Sequence, residues 1–494
     1  MVTINTNIGA LAAQSNMSRV NEQFNTAMTR LSTGLRINAA KDDAAGMAIG
    51  EKMTAQIMGL NQAVRNATDG KNLVDTTEGA HVEVSSMLQR LRELAVQSAN
   101  DTNTASDRGS LMSEGNQLVS EINRVAQNTT FNGMNVLDGS FTGKQLQIGA
   151  DTGQVLRIDV DSAAAKDIGA HTVTSKASLA SNTADTGIAA GTDLNVSGYM
   201  GGATVTTTAG QSAKSLASQI NGVTSSTGVQ ATASTSAKLS GFSAASTVSF
   251  KVNDVSIGTV NISDTSDLRS LRDAINTVSG RTGVTATMGE NNSEVVLNDA
   301  TGNDISLSAY DTGVDDTEMT VTVLDREGNA AGNVEGTHKS TMTDTTAAVT
   351  SSNITGQVSM TSAKSFSVSS SVTTAGASFF ESTDNSAELK SVAEIDLSTA
   401  KGASDAITVI DVALQKISQS RADLGAVSNR LDSTISNLTN ISVSVQAAKS
   451  NVMDADFAAE STNLAKGQIL SQAATAMLAQ ANSSKQNVMS LLKG

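Results

Sequence analysis

Apolar residues recur three and four positions apart over both ends of the chain. Met17, Val20, Phe24, Ala27 and Leu31 begin the pattern. After the stretch GLRINAAKDDAAG it returns with Met53, Ile57, Leu60, Val64 and Ala67, then Val84, Met87, Leu91 and Leu94, then Leu118, Ile122 and Val125. This spacing lines one face of a helix and predicts three or four helices, two of them long. Toward the other end Ile407, Ile410, Leu414, Ile417, Leu424, Leu431, Ile435, Leu438 and Val445 hold one register, interrupted by Arg421, Ser428 and Ser442. A heptad seam this long is of coiled-coil grade, and its polar interruptions can fix register. The final stretch repeats the spacing with Leu470, Ala474, Met477, Ala481, Ser484, Val488 and Leu491, a narrow stripe with nothing after it to cover it.

The pattern changes between about residues 170 and 400, where Ser, Thr, Gly, Ala and Asp dominate. STVSFKVNDVSIGTVNI and SEVVLNDATGNDISLSAY alternate apolar and polar residues between turn signals, which predicts a folded, β-rich middle. SLASQINGVTSSTGVQAT, from Ser215, and SLRDAINTVSGRTGVTAT, from Ser270, form an internal repeat near 215–232 and 270–287, each a short helix followed by a strand. Ahead of this region Asn132-Gly133 and Asp138-Gly139 signal turns, and Leu146 with Ile148, and Leu156 with Ile158 and Val160, alternate as in β-hairpins.

Composition narrows the choices. Aromatic residues make up 2% of the 494 residues and Trp is absent, so burial falls to Ala, Val, Leu, Ile and Met in thin seams. There is no Pro, where average usage would supply about twenty-five, so long helices run without forced kinks. With no Cys, disulfides, zinc-thiolate sites and cysteine nucleophiles are excluded. A net charge of −15 opposes binding to nucleic acid or anionic lipid, and no run of Lys or Arg offsets it. No membrane-spanning run is present, and MVTINTNIGALAAQSN lacks the basic and apolar regions of a cleaved secretory signal.

Candidate chemistry is sparse. His81, His171 and His338 are scattered, without metal-ligand spacing, and are expected at surface or partly buried positions. GSFTGKQ has the wrong spacing for a phosphate loop, and Asp42-Asp43 and Asp315-Asp316 lack the pattern of a calcium loop. No catalytic residue, cofactor site or metal site is expected. The end helices are the informative feature. Their stripes are narrow, and Gly9 and Gly34 are expected inside the first helix, each costing ~1 kcal/mol relative to Ala. Such helices are marginal alone.

TINTNIGALAAQSNM, LSTGLRINAAKDDAAGMAIGEKM, LQRLRELAVQSANDTNT and TTFNGMNVLDG resemble the N-terminal region of bacterial flagellins. SRADLGAVSNRLDSTISNL and MLAQANSSKQNVMSLL resemble their C-terminal region, and the internal repeat looks like the IN motif of flagellin outer domains. The match spans residues 1 to 165 and 402 to 494. It implies an α+β fold, with a discontinuous helical coiled-coil core built from both chain ends and β-hairpins and β-rich outer domains inserted in the middle. The expected division is 1–43 with 454–494 as a terminal coiled coil, 44–170 with 402–453 as a helical core, and 171–401 as an exposed outer region of two subdomains.

The resemblance further implies a non-enzymatic subunit that polymerises head to tail into the helical filament used for swimming. By this likeness Leu11, Met17, Val20, Phe24 and Leu31 meet Leu470, Met477, Val488 and Leu491 in self-assembly, while Leu60, Val64, Leu91, Leu424, Leu431 and Leu438 pack the core. Implied partners are other copies of the chain, an export chaperone, the type III export apparatus, filament cap and hook-junction proteins, and the Toll-like receptor of animal hosts. Arg90, Leu94, Gln97 and Glu114 match the receptor-binding motif, with Gly115 departing from a good helix former beside Glu114. The implied location is extracellular. Two rivals are a hook-filament junction protein, disfavoured by RELAVQSAN and the inserted outer region, and a coiled-coil adhesin, which calls for an anchor or signal peptide.

Overall fold

Without proline to interrupt them, the predicted stripes merge into a few long helices in the computed structural model of the chain. It describes residues 6–176, 178–181, 193–289, 291–314, 316–326, 328–331, 339–344, 351–371, 379–380 and 383–492, with no side-chain description for 178–181, 339 and 485–492. The helices are α1 (Ile8–Thr33), α2 (Ala44–Ser98), α3 (Ala105–Asn128), α4 (Ala213–Gly222), α5 (Thr224–Thr227), α6 (Arg269–Thr277), α7 (Ser279–Thr282), α8 (Ala400–Met453) and α9 (Phe457–Leu492). The fold is the expected α+β arrangement, helical at both ends and β-rich between them.

The chain forms two compact units: residues 1–76, 142–159 and 424–494, and residues 77–141 and 160–423. In the first, Leu60, Ala63 and Leu438 form a small apolar cluster with Val64 against it. Ser442, a polar interruption of the α8 stripe, is buried and donates to Asn61 Oδ1 at 3.2 Å. The hairpin Lys144–Gln147 with Val155–Ile158 closes on this unit. Its Leu146 methyl fills the notch at Gly70, and Leu431 lies against the same glycine.

The loop before α2 is organised by its carboxylates. Asp42 accepts from the Asn38 and Ala39 amides, which lowers its pKa, and Asp43 caps α2 through the Gly46 amide at 2.9 Å. Both Asp42 and Asp43 are therefore turn and cap residues. Asp315 and His338 lie outside the described residues.

In the second unit Leu88, Leu91, Leu94, Ile122, Ile410 and Ile417 are buried helix residues. Gly115 sits inside α3 with Leu91 and Leu397 methyl groups 3.3 and 3.1 Å from where its Cβ would be, so the missing side chain admits close packing and the helix continues through it. Arg421, the charged interruption of the α8 stripe, faces Glu78 at 3.4 Å. His81 is fully buried, where a surface or partly buried position was expected, with Ser420 Oγ 3.4 Å from its Nε2. Ser420 on the facing helix α8 and Glu78, one turn earlier on α2 itself, lie beside the histidine.

Strand Gln230–Ser240 is the hub of an eight-stranded sheet and pairs antiparallel with Val295–Asp299, Gln357–Ser362 and Glu318–Leu324. Two apolar cores divide the β-rich region, one around Leu216, Ile220, Val358 and Phe379, the other around Phe250, Leu271, Leu297 and Val321. The internal repeat appears as α4, α5 and strand Gln230–Ser240, then α6, α7 and strand Thr285–Met288. Each copy closes the same way. Asn221 exchanges two 2.8 Å hydrogen bonds with the Ala231 backbone, and Asn276 does so with Ala286. Gly228 and Gly283 then end α5 and α7 at φ of +74° and +75°.

Candidate assembly surface

Local signals set the limits of the terminal helices. Asn7 caps α1 by accepting from the Ala10 amide at 3.0 Å. Gly34 lies beyond the helix at φ +71° and donates to the Arg30 carbonyl, so it is a stop signal and not the internal cost expected for it. Asp456 caps α9 through the Ala458 and Ala459 amides. Between these ends the chain crosses itself. Arg36 N donates to Met453 O at 2.7 Å and Ala455 N to Gly34 O at 2.9 Å, bracketing a bridge between Leu35 and Asp454.

That crossing sets α1 and α9 side by side and antiparallel. Going along α1, Asn7 donates to the Ala481 carbonyl, Met17 Sδ accepts from Thr475, Asn21 accepts from Ser471, Phe24 lies over Gly467, and Arg30 pairs with Glu460 at 3.1 Å. Glu460 is buried, so its ion pair with Arg30 compensates a desolvated charge at the closed end of the pair.

Met17, Val20, Phe24 and Leu31 are half-buried and Ala27 is buried. The corresponding positions of α9 are Leu464, Gly467, Ser471, Ala474, Leu478 and Ala481. The α9 stripe expected from large apolar residues therefore divides: Ala474 and Ala481 belong to the seam, while Leu470 and Met477 lie on its flank, 39% and 66% exposed. Small residues at the seam let the backbones approach, and the larger ones are displaced outward. The side chains of Val488 and Leu491 lie outside the described residues.

Isolated large apolar side chains stand among polar residues on the outward faces of this pair. Leu11 is 61% exposed and Phe457 71%, and Ile8, Met28 and Ile469 are also exposed. Ile8, Met28, Phe457 and Ile469 were not singled out from the sequence, because isolated apolar residues off a heptad seam give no periodic signal.

The expected core residues are buried or, for Val64, half-buried. Of the receptor-motif residues, Arg90 bonds Glu114 through Nε at 3.0 Å and Nη2 at 2.8 Å and also reaches Glu93, all on the surface. These carboxylates raise the Arg90 pKa. Gln97 is exposed on the same helix. Leu94 is 1% exposed and offers no surface of its own.

Among the described residues no group of three His, Cys, Asp or Glu is placed to hold a metal ion, and no helix is long and apolar enough to cross a membrane.

Residues 4–142 match the bacterial flagellin N-terminal helical region, 407–492 the bacterial flagellin C-terminal helical region, and 193–245 and 247–301 each match the flagellin hook IN motif. The chain is 39% identical over 498 residues to the B-type flagellin of Pseudomonas aeruginosa, covering 100% of both chains. It is 34% identical over 530 residues to the flagellin of Salmonella typhimurium, covering 99% of each. Among solved structures it resembles FliC from Burkholderia pseudomallei at 20% identity and a TM-score of 0.29, over 73% of this chain and 99% of that one. With helical regions of the family at both ends and full-length relatives of that name, the chain belongs to the bacterial flagellins, the structural subunits of the flagellar filament.

Proposed function

We propose that the chain enters the filament by burying the outward faces of α1 and α9 against other copies of itself. One observation supports this most: Leu11, Phe457 and Met477 remain exposed although the seam between the two helices is already filled from within the chain. A head-to-tail contact that does not close on itself generates a helical polymer. On this reading Met17, Val20, Phe24 and Leu31 serve assembly by holding the helix pair together, and Leu11, Leu470 and Met477 meet the neighbour. Residues 1–43 with 454–494 act as the assembly element, 44–170 with 402–453 as the supporting core, and 171–401 as the outward-facing region.

The same reading includes export of the unfolded chain through the flagellar type III apparatus, with a chaperone covering α9 beforehand and cap and hook-junction proteins at the filament ends. The filament then lies outside the cell. Arg90, Gln97 and Glu114 are the receptor-motif side chains available to a host Toll-like receptor, and Leu94 holds their helix in place from below.

Seeded polymerisation tests the assembly face. Replacing Leu11, Phe457 and Met477 with Ser, singly and together, is expected to leave the circular dichroism of the unassembled chain unchanged. Each loss of apolar burial, worth roughly 1.5–3 kcal/mol at full burial, should raise the critical concentration about tenfold or more. A triple variant that polymerises at the parent's critical concentration overturns the proposal.

A further inference from the structure

The chain contains two Asn-Gly pairs, Asn132-Gly133 and Asn221-Gly222, in opposite circumstances. Asn132 and Gly133 form the two-residue turn between strands Thr130–Phe131 and Met134–Asn135, with φ of +49° and +77°, as a type I′ turn requires. Both residues are exposed, and nothing lies within 4 Å of a Cβ built on Gly133. Among the described residues no hydrogen bond engages the Asn132 side chain or the Gly133 amide. Asn221, by contrast, has both ends of its side-chain amide occupied. Its Nδ2 donates to the Ala231 carbonyl and its Oδ1 accepts from the Ala231 amide, each at 2.8 Å.

We infer that Asn132 is a site of spontaneous covalent modification, converting to aspartyl and isoaspartyl residues, while Asn221 is protected by its clasp on Ala231. Asn is a thermolabile residue type. The Gly133 amide nitrogen gives up its proton to water or hydroxide and attacks Asn132 Cγ. The new N–Cγ bond closes a succinimide ring, the Cγ–Nδ2 bond breaks, and ammonia leaves with the proton returned by solvent. Water then opens the ring. Cleavage at the Cγ–N bond leaves an ordinary aspartyl residue in place of Asn132, and cleavage at the original backbone C–N bond leaves the isoaspartyl linkage. No oxidant or reductant is needed.

Glycine at the following position matters because no side chain obstructs the approach. The attack requires the turn to open briefly, and a hairpin of two-residue strands opens more readily than the clasped Asn221 at the end of α4. Either product adds a negative charge at the turn. The isoaspartyl product also adds a methylene to the main chain between Phe131 and Met134, which face one another across the hairpin, and so breaks their register.

Incubating the unassembled full-length chain at mildly alkaline pH and mapping its peptides by mass spectrometry tests the inference. Isoaspartyl residues are read with an isoaspartyl methyltransferase. The Asn132 peptide is expected to convert at least about tenfold faster than the Asn221 peptide, a margin of ~1.4 kcal/mol in opening free energy. In denaturant the two should convert at similar rates, and Asn221→Ala should not change the rate at Asn132. Equal rates in the folded chain, or faster conversion at Asn221, overturn the inference. So does an unmodified Asn132 under conditions where the denatured chain converts at both positions.

Discussion

Two glycines show how context decides the value of a missing side chain. A methyl group added at Gly198 would land on the Thr227 carbonyl oxygen, a backbone atom that cannot turn aside. At Gly79, in the interior of α2, nothing lies within 4 Å of the added atom. Gly198→Ala should therefore destabilise the chain by roughly 1–3 kcal/mol, whereas Gly79→Ala should stabilise it by up to about 1 kcal/mol through helix propensity. Urea unfolding of the unassembled chain reads both. The buried titratable groups make a second case. Burial, followed by the nearby Arg421 charge, holds His81 down at about 4, against 6.5 unperturbed. The unfolded chain thus binds the proton that the folded chain refuses, and the stability from neutral His81 is present above pH 6.5 and lost as pH falls toward 4. Asp304 works in the opposite direction: burial raises it from 3.8 to about 6, so its contribution is present below 3.8 and lost as pH rises to about 6. Each is worth roughly 3 kcal/mol, so they largely cancel in the parent. In His81→Leu the stability difference from the parent should shift by about that amount in the variant's favour on acidification from pH 6.5 to 4. An unchanged difference across that window excludes His81 as the titrating group.

At the scale of elements, what could be read from the chain followed from periodicity. Met17, Val20, Phe24, Ala27 and Leu31 mark the inner face of α1, and the α8 stripe holds its phase through Arg421 and Ser442 because Glu78 and Asn61 receive them. Periodicity failed where small residues make the contact. The stripe read from the sequence includes the seam residues Ala474 and Ala481, but it omits Gly467 and Ser471 and takes in Leu470 and Met477, which lie on the flank. The order of the sheets was not legible either, since pairings such as Gln230–Ser240 with Gln357–Ser362 join distant segments with no local signal. The repeat was legible as similar strings, but its function in the fold needed coordinates. The Asn of each I-N pair replaces a missing strand partner by bonding both polar groups of one backbone residue. Asn221→Ala and Asn276→Ala should each cost about 2 kcal/mol by orphaning those groups, with hydrogen exchange at the Ala231 and Ala286 amides accelerating first. Retained protection at both amides would show that the clasp is dispensable.

At the scale of the whole molecule, the β-rich region enters and leaves the chain at one place. Gly169 faces Ser391 and Thr172 faces Glu388 across a single strand pair, so the inserted region begins and ends on adjacent strands. Residues just past that pair already belong to the helical part: Val392 N donates to Ile168 O, Ala393 N to Ala165 O, and Leu397 packs on Gly115 while its carbonyl accepts from Ser98. Excision of 171–401 would remove these contacts, leaving Gly115 beside a cavity and the Ser98 hydroxyl without its partner. Joining Thr172 to Glu388 through an Asn-Gly turn keeps them and supplies the geometry that two paired antiparallel strands need. The shorter excision should therefore give a folded subunit that still forms filaments, thinner in electron micrographs than those of the parent. The longer one should unfold at a lower urea concentration, by the few kcal/mol expected for a large core side chain lost together with a buried hydrogen bond. Should the Thr172–Glu388 chain fold yet fail to polymerise on seeds, the outer region would have to supply subunit contacts, and assembly could not rest on the terminal helices alone.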